Sequence, residues 1–161
     1  MNKKDYSKEI NIAIEAAKQA GKILLKDKNK INISKLSYKR DTKLEADTAS
    51  EYLIKEIIKS KSEYQILAEE SGKSSDKMGD IFWVVDPLDG TANYNRDIPI
   101  CCISIGLVSN LKPLFGVIYD FNNDDMYIGN KFKETSTLNN NQINVSDLEE
   151  KSDGILITGL P

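Results

Sequence analysis

Residues 83–99 read Trp-Val-Val-Asp-Pro-Leu-Asp-Gly-Thr-Ala-Asn-Tyr-Asn-Arg-Asp-Ile-Pro, which sets Asp86 and Asp89 at the mouth of an apolar run and follows them with Gly90 and Thr91. Paired carboxylates beside a glycine turn and a hydroxyl suit a cation and the phosphate it neutralises. A second acidic pair, Glu69-Glu70, ends the run Tyr64-Gln65-Ile66-Leu67-Ala68 and precedes Ser71-Gly72. Carboxylate and carbonyl oxygens are hard ligands suited to Mg²⁺ or Mn²⁺. The chain has no histidine and only two cysteines, so softer ligands are scarce. A hydrolase without an imidazole must activate its water otherwise. A divalent cation that lowers the water's pKa, with a carboxylate–hydroxyl pair to take the proton, is the substitute. Acidic residues at strand ends are commonly solvated turn formers; their combination with Gly-Thr after a buried run is what carries the site reading.

The elements that must position these groups follow from periodicity. Ile81-Phe82-Trp83-Val84-Val85 is rich in β-branched and aromatic residues and predicts a buried strand that carries Asp86 out of the core. Pro87 has no N–H to donate and is expected to end the ladder. Gly90 can take backbone angles closed to other residues, and Thr91 onward opens a short helix whose free N–H groups face an anion. Ile10, Ala13, Ile14, Ala17, Gly21, Leu24 and Leu25 predict an amphipathic helix over about 4–28, with Gly21 permitting close packing. Ala46, Ala49, Leu53 and Ile57 predict a second helix near 46–60. Strands are expected near 32–38, 64–69, 81–86, 101–109, 113–120 and 124–129, with a hairpin turn inside 107–113. Residues 71–79 read as a flexible loop and 139–142 as a tight turn. Adjacent Cys101 and Cys102 read as core packing. Helices first and strands after argue for α+β layering: two N-terminal helices on a mainly antiparallel sheet.

At 161 residues, 40% hydrophobic and 29% charged, the chain reads as one globular domain. Its net charge of −3 and dispersed lysines give no basic footprint, so nucleic acid is not an expected partner. Met1 to Tyr6 carries no apolar signal region, and the longest apolar run, Ile100 to Val108, is too short to span a bilayer. A cytoplasmic location without membrane attachment is the expectation, with a homodimer allowed.

Five ordered pieces resemble the lithium-sensitive, Mg²⁺-dependent phosphatases of the inositol monophosphatase family. They are Leu44-Glu45-Ala46-Asp47, Ala68-Glu69-Glu70-Ser71, residues 83–94 with their Asp-Pro-Leu-Asp-Gly-Thr core, Ile103-Ser104-Ile105-Gly106-Leu107, and Gly116-Val117-Ile118-Tyr119-Asp120. The resemblance implies a layered α/β sandwich of the sugar-phosphatase type. It implies that Glu69, Asp86 and the Leu88 carbonyl hold one metal while Asp86 and Asp89 hold a second, and that Thr91 and Asp47 orient and deprotonate the attacking water. Asp89 and the N–H groups of Gly90 and Thr91 would bind the substrate phosphate. Two cations about 3.5–4 Å apart can stabilise both the entering and the leaving oxygen of an in-line displacement. Glu69 rather than Glu70 matches the family's ligand, and strand neighbours point opposite ways.

The sequence departs from the family at several places. Leu44 stands where threonine is usual, with Asp41 as a competitor for the role of Asp47, and Arg96-Asp97 stands where His-Gly is common. Asn130 to Thr135 replaces a glycine-rich stretch and suggests a plainer connection. The chain stops at Thr158-Gly159-Leu160-Pro161, before the family's Trp-Asp-Ala-Ala motif, so residues 1–161 are expected to be the N-terminal metal- and phosphate-binding part of such a domain.

The expected function is Mg²⁺-dependent hydrolysis of a small phosphate monoester. An inositol monophosphate-like metabolite is preferred over a 3′(2′),5′-bisphosphate nucleotide because Asn93-Tyr94 resembles the inositol branch. Two rivals stand beside it. One is an aspartyl-phosphate phosphatase, whose Asp-x-Asp spacing is one residue shorter than Asp86-x-x-Asp89. The other is an inactive metal-binding module.

Overall fold

The computed structural model describes residues 5–38 and 41–147, with the backbone alone for 34–38 and 41–43. Asp41's side chain and the stretch 148–161 therefore lie outside the described residues. The three- and four-residue apolar spacing produces α1 (Ser7–Lys26), which buries Ile12, Ala13, Ala16, Ala17, Ala20, Gly21 and Leu24. The helix ends two residues earlier than its periodicity suggests, and a separate turn, α2 (Lys28–Ile31), follows Asp27. The second predicted helix is α3 (Glu45–Lys61), packed beside α1.

The strands are β1 (Ser34–Tyr38), β2 (Asp41–Leu44), β3 (Gln65–Ala68), β4 (Gly72–Lys73), β5 (Ile81–Asp89), β6 (Cys102–Ser109), β7 (Lys112–Asp120), β8 (Asp125–Asn130), β9 (Thr135–Leu138) and β10 (Asn141–Ile143). A short helix, α4 (Thr91–Asn95), separates β5 from β6. β1 and β2 pair with each other, and the rest form one sheet in the order β10-β9-β8-β7-β6-β5-β3-β4. Every pairing in it is antiparallel except β3 with β5, so the expected helices on a mainly antiparallel sheet are what the chain builds.

The strands missed by periodicity, β2, β4, β9 and β10, are short, two to four residues each, and show no run of apolar alternation in the sequence. The predicted loop at 71–79 contains β4, which runs back along β3 and returns the chain to the start of β5. The tight turn at 139–142 narrows to Asn139-Asn140 between β9 and β10, with φ of 49° and 69°. Asn110-Leu111 turns β6 into β7 in the same way, at 47° and 61°. Positive φ at both central residues matches the strands' right-handed twist.

Strand alternation gives the sheet two unlike faces. Trp83, Val85, Ile103, Ile105, Leu107, Phe115, Val117 and Tyr119 are buried toward the helices. Trp83 Nε1 donates to Ser62 Oγ at 3.0 Å, and its ring meets Phe115 edge-on. Val84, Ser104, Gly106, Ile118, Tyr127 and Gly129 lie on the other face, which no helix covers among the described residues.

Candidate metal and phosphate site

The one parallel pair among the described strands is what gathers the acids. β3 and β5 run together with Ala68 opposite Val85, so the next residues, Glu69 and Asp86, leave the sheet at the same edge. Glu69 N donates to the Val85 carbonyl at 3.0 Å and extends the pairing by one step. Both side chains belong to the open face by alternation, Glu69 with Leu67 and Asp86 with Val84. They line a common cavity of about 550 Å³ with Ser104 and Gly106.

Asp89 joins that face because of a bulge. Between the pairs Asp86–Ser104 and Asp89–Cys102, β5 advances three residues while β6 advances two. In an unbroken strand Asp89 would point to the helices; the extra residue returns it to the side of Asp86. Pro87 therefore does not end the ladder with β6, contrary to expectation, because a bulge has room for a residue without an N–H. The segment is pinned by Leu88 N donating to Asp86 Oδ1 at 3.2 Å and Ser50 Oγ donating to the Pro87 carbonyl at 2.8 Å. Asp89 opens onto an adjacent cavity of about 500 Å³, with Gly90, Cys102 and Asp120.

Only half of the cysteine expectation survives. Cys101 is buried, but Cys102 sits on the face of the acids, its thiol donating to Asp89 Oδ2 at 3.8 Å. Burial and the charges of Asp89 and Asp86 push that thiol up to about 12, so it stays protonated.

Gly90 begins the turn into α4 with φ of 88°. A Cβ there would also lie 2.7 Å from the Ile100 carbonyl, so glycine is required twice over. The Thr91 hydroxyl donates to Asp47 Oδ1 at 2.8 Å, with the Leu88 carbonyl, 3.0 Å away, as the alternative acceptor of the same proton. Asp47, fully buried in the first turn of α3, accepts Leu44 N at 2.7 Å through its other oxygen. Leu44 thus leaves Asp47 anchored through its backbone even though it lacks the hydroxyl that is usual there.

Burial raises the pKa of Asp86 above the usual carboxylate value, and the negative charges of Asp89 and Asp47 add to this against the Leu88 N–H. An all-oxygen donor set around a desolvated carboxylate with negative neighbours fits a hard divalent cation. Glu69, Asp86, the Leu88 carbonyl and Asp89 are the candidates to hold it. Among the described residues, however, no three acidic or cysteine side chains stand close enough to form a cage. Glu69 and Asp86 share one cavity while Asp89 opens onto the next.

Sequence reading named Asp47 on α3 but missed Ser50 and Glu51 beside it. Asp47, Ser50 and Glu51 are buried at i, i+3 and i+4 and face the ends of β5 and β3. The signal was present as three polar residues on the stripe that also carries Ala46 and Ile54. Tyr94 has a packing role, because its hydroxyl donates to the Leu24 carbonyl at 2.6 Å and its ring meets Phe121.

A family model described as the inositol monophosphatase family matches residues 5–161. The chain is 34% identical over 157 residues to an inositol-1-monophosphatase of Synechocystis, covering 96% of this chain and 54% of that protein. It is 33% identical over 156 residues to a protein of Xylella fastidiosa named Nus factor SuhB, covering 93% and 54%. Among solved structures, a SuhB from Bartonella henselae superposes with a TM-score of 0.80 at 30% identity, over 88% of this chain and 56% of that one. An inositol monophosphatase from Anabaena gives 0.73 at 39%, over 87% and 50%. The chain spans about half the length of these relatives. On the matched model, the shared fold and this identity, the chain belongs to the inositol monophosphatase family.

Proposed function

We propose that residues 1–161 form the metal- and phosphate-binding part of a phosphatase that hydrolyses a small phosphate monoester, inositol monophosphate-like, by direct attack of water in the cytoplasm. The observation that carries this reading is the β5 bulge, which puts Asp89 on the face of Asp86 and Glu69, next to the Thr91–Asp47 hydrogen bond. Glu69, Asp86, the Leu88 carbonyl and Asp89 are the residues to hold Mg²⁺, or Mn²⁺ in its place. When bound, such an ion neutralises phosphate oxygens and lowers the pKa of water.

The chain's own groups do the rest. Gly90 and Thr91 present backbone N–H groups to the phosphate oxygens. With its proton directed at Asp47, Thr91 Oγ1 has lone pairs left to accept a hydrogen bond from the attacking water. Asp47, held by Leu44 N, is the sink for the proton that passes along this pair. Phosphoryl transfer is mostly positioning and charge neutralisation, which such a fixed arrangement supplies.

Attack by Asp86 itself is the covalent rival. The longer Asp-x-x-Asp spacing does not separate the two carboxylates, since the bulge absorbs the extra residue. Turnover of inositol monophosphates and a bisphosphate nucleotide, made chiral at phosphorus with oxygen isotopes, in the presence of Mg²⁺ decides between the routes. A single direct displacement should invert the phosphorus centre; retention, or a phosphoryl group trapped on Asp86, would overturn direct attack. The relatives named Nus factor SuhB favour a second reading, a non-catalytic member of the fold. Folded protein that binds Mg²⁺ but releases no phosphate from any of these esters would establish it.

A further inference from the structure

Glu51 is only 4% exposed, yet no step above uses it. Its Oε2 accepts Glu70 N at 2.9 Å and Ser71 N at 3.3 Å. Its Oε1 lies 3.4 Å from Lys55 Nζ, one helical turn on, and that ammonium donates to Ser71 Oγ at 2.7 Å. A buried carboxylate is costly unless its oxygens are satisfied, and here a lysine and two backbone amides meet that demand. The amides belong to the two residues directly after Glu69. Glu69 is therefore held from both sides, its own N–H on the Val85 carbonyl and the following turn on α3.

We propose that Glu51, with Lys55, is a positioning group that fixes the direction in which Glu69 leaves β3 and so sets its carboxylate toward the cation. This rests on the cation reading above. Glu51 touches neither substrate nor ion in this account; it acts through the Glu70–Ser71 backbone. Groups that orient a ligand from behind commonly change metal affinity about 10–100-fold when removed.

Two variants and two measurements test it. Amide hydrogen exchange at Glu70 and Ser71 in metal-free protein reports the clamp, and calorimetric titration with Mg²⁺ reports its consequence. Glu51→Ala is expected to accelerate exchange at both amides and weaken Mg²⁺ about 10–100-fold. Glu51→Gln, which keeps an acceptor oxygen, should lose less in the same direction. Wild-type Mg²⁺ affinity in folded Glu51→Ala protein, or unchanged exchange, overturns the proposal, because a merely structural role would lower the melting temperature and leave affinity alone. If Glu51→Ala does not fold, Glu51→Gln decides on the same terms. Wild-type protein that binds no Mg²⁺ would bring down the cation reading and with it the purpose assigned to Glu51, whereas binding that is indifferent to Glu51 would bring down this proposal alone.

Discussion

Burial, together with the charges of Asp89 and Asp47, holds Asp86 protonated to higher pH than an ordinary aspartate. Because its folded pKa lies above the unfolded value of 3.8, the folded state binds more protons between the two, and stability falls as pH rises through that window. Asp86→Asn removes the charge while its amide oxygen can still accept Leu88 N. In chelator at neutral pH the variant is expected to melt at a higher temperature than the wild type. It should also lose all Mg²⁺-dependent phosphate release. A lower melting temperature would show that the Asp86 charge stabilises the metal-free fold, against this account. Protons compete with the cation for the same carboxylate, so Mg²⁺ affinity should weaken as pH falls through the raised Asp86 pKa. Asp86, Asp89 and Thr91 were legible because their types sit where an apolar run breaks. Glu51 and Ser50 were not, since a polar residue inside a helix reads as solvated until the strand ends packed against it are known.

At the scale of elements, two glycine-related positions separate local propensity from tertiary demand. A Cβ on Gly21 would stand 2.7 Å from Tyr119 Cε1 and 2.9 Å from Phe121 Cβ. Alanine is favoured over glycine in a helix by about 1 kcal/mol, yet Gly21→Ala is expected to destabilise by about 1–3 kcal/mol in chemical denaturation, because α1 must lift off β7. Leu111 is the converse: it is 84% exposed and holds φ of 61° in the β6–β7 turn. Leu111→Gly should stabilise by about 1 kcal/mol, since a branched side chain in left-handed backbone is strained and buries nothing here. No gain in denaturation midpoint would contradict that. The sequence disclosed α1, α3 and the apolar strands through their periods. The bulge in β5 was hidden because Pro87 signals a break without saying that the strand resumes, and β9 and β10 because their pairing rests on turn geometry rather than apolar alternation.

Across the whole molecule, one face of the sheet is packed by α1 and α3, and the acids lie at the rim of the other. That placement lets a rigid core aim the side chains of Glu69 and Asp86 while their oxygens reach an open cavity. The order of helices before strands was enough to read the layering, and the shared fold with inositol monophosphatases agrees with it. Neither order nor composition could show that β3 and β5 run parallel, the feature that brings two acidic strand ends to one edge.

The central claim, that these strand ends take a divalent cation, is tested most directly by titrating Mg²⁺ into chelator-stripped protein in a calorimeter, wild type beside Asp86→Asn. Saturable binding by the wild type that the variant lacks is the predicted result. Absence of binding by folded wild-type protein, or equal binding by both, would contradict the account.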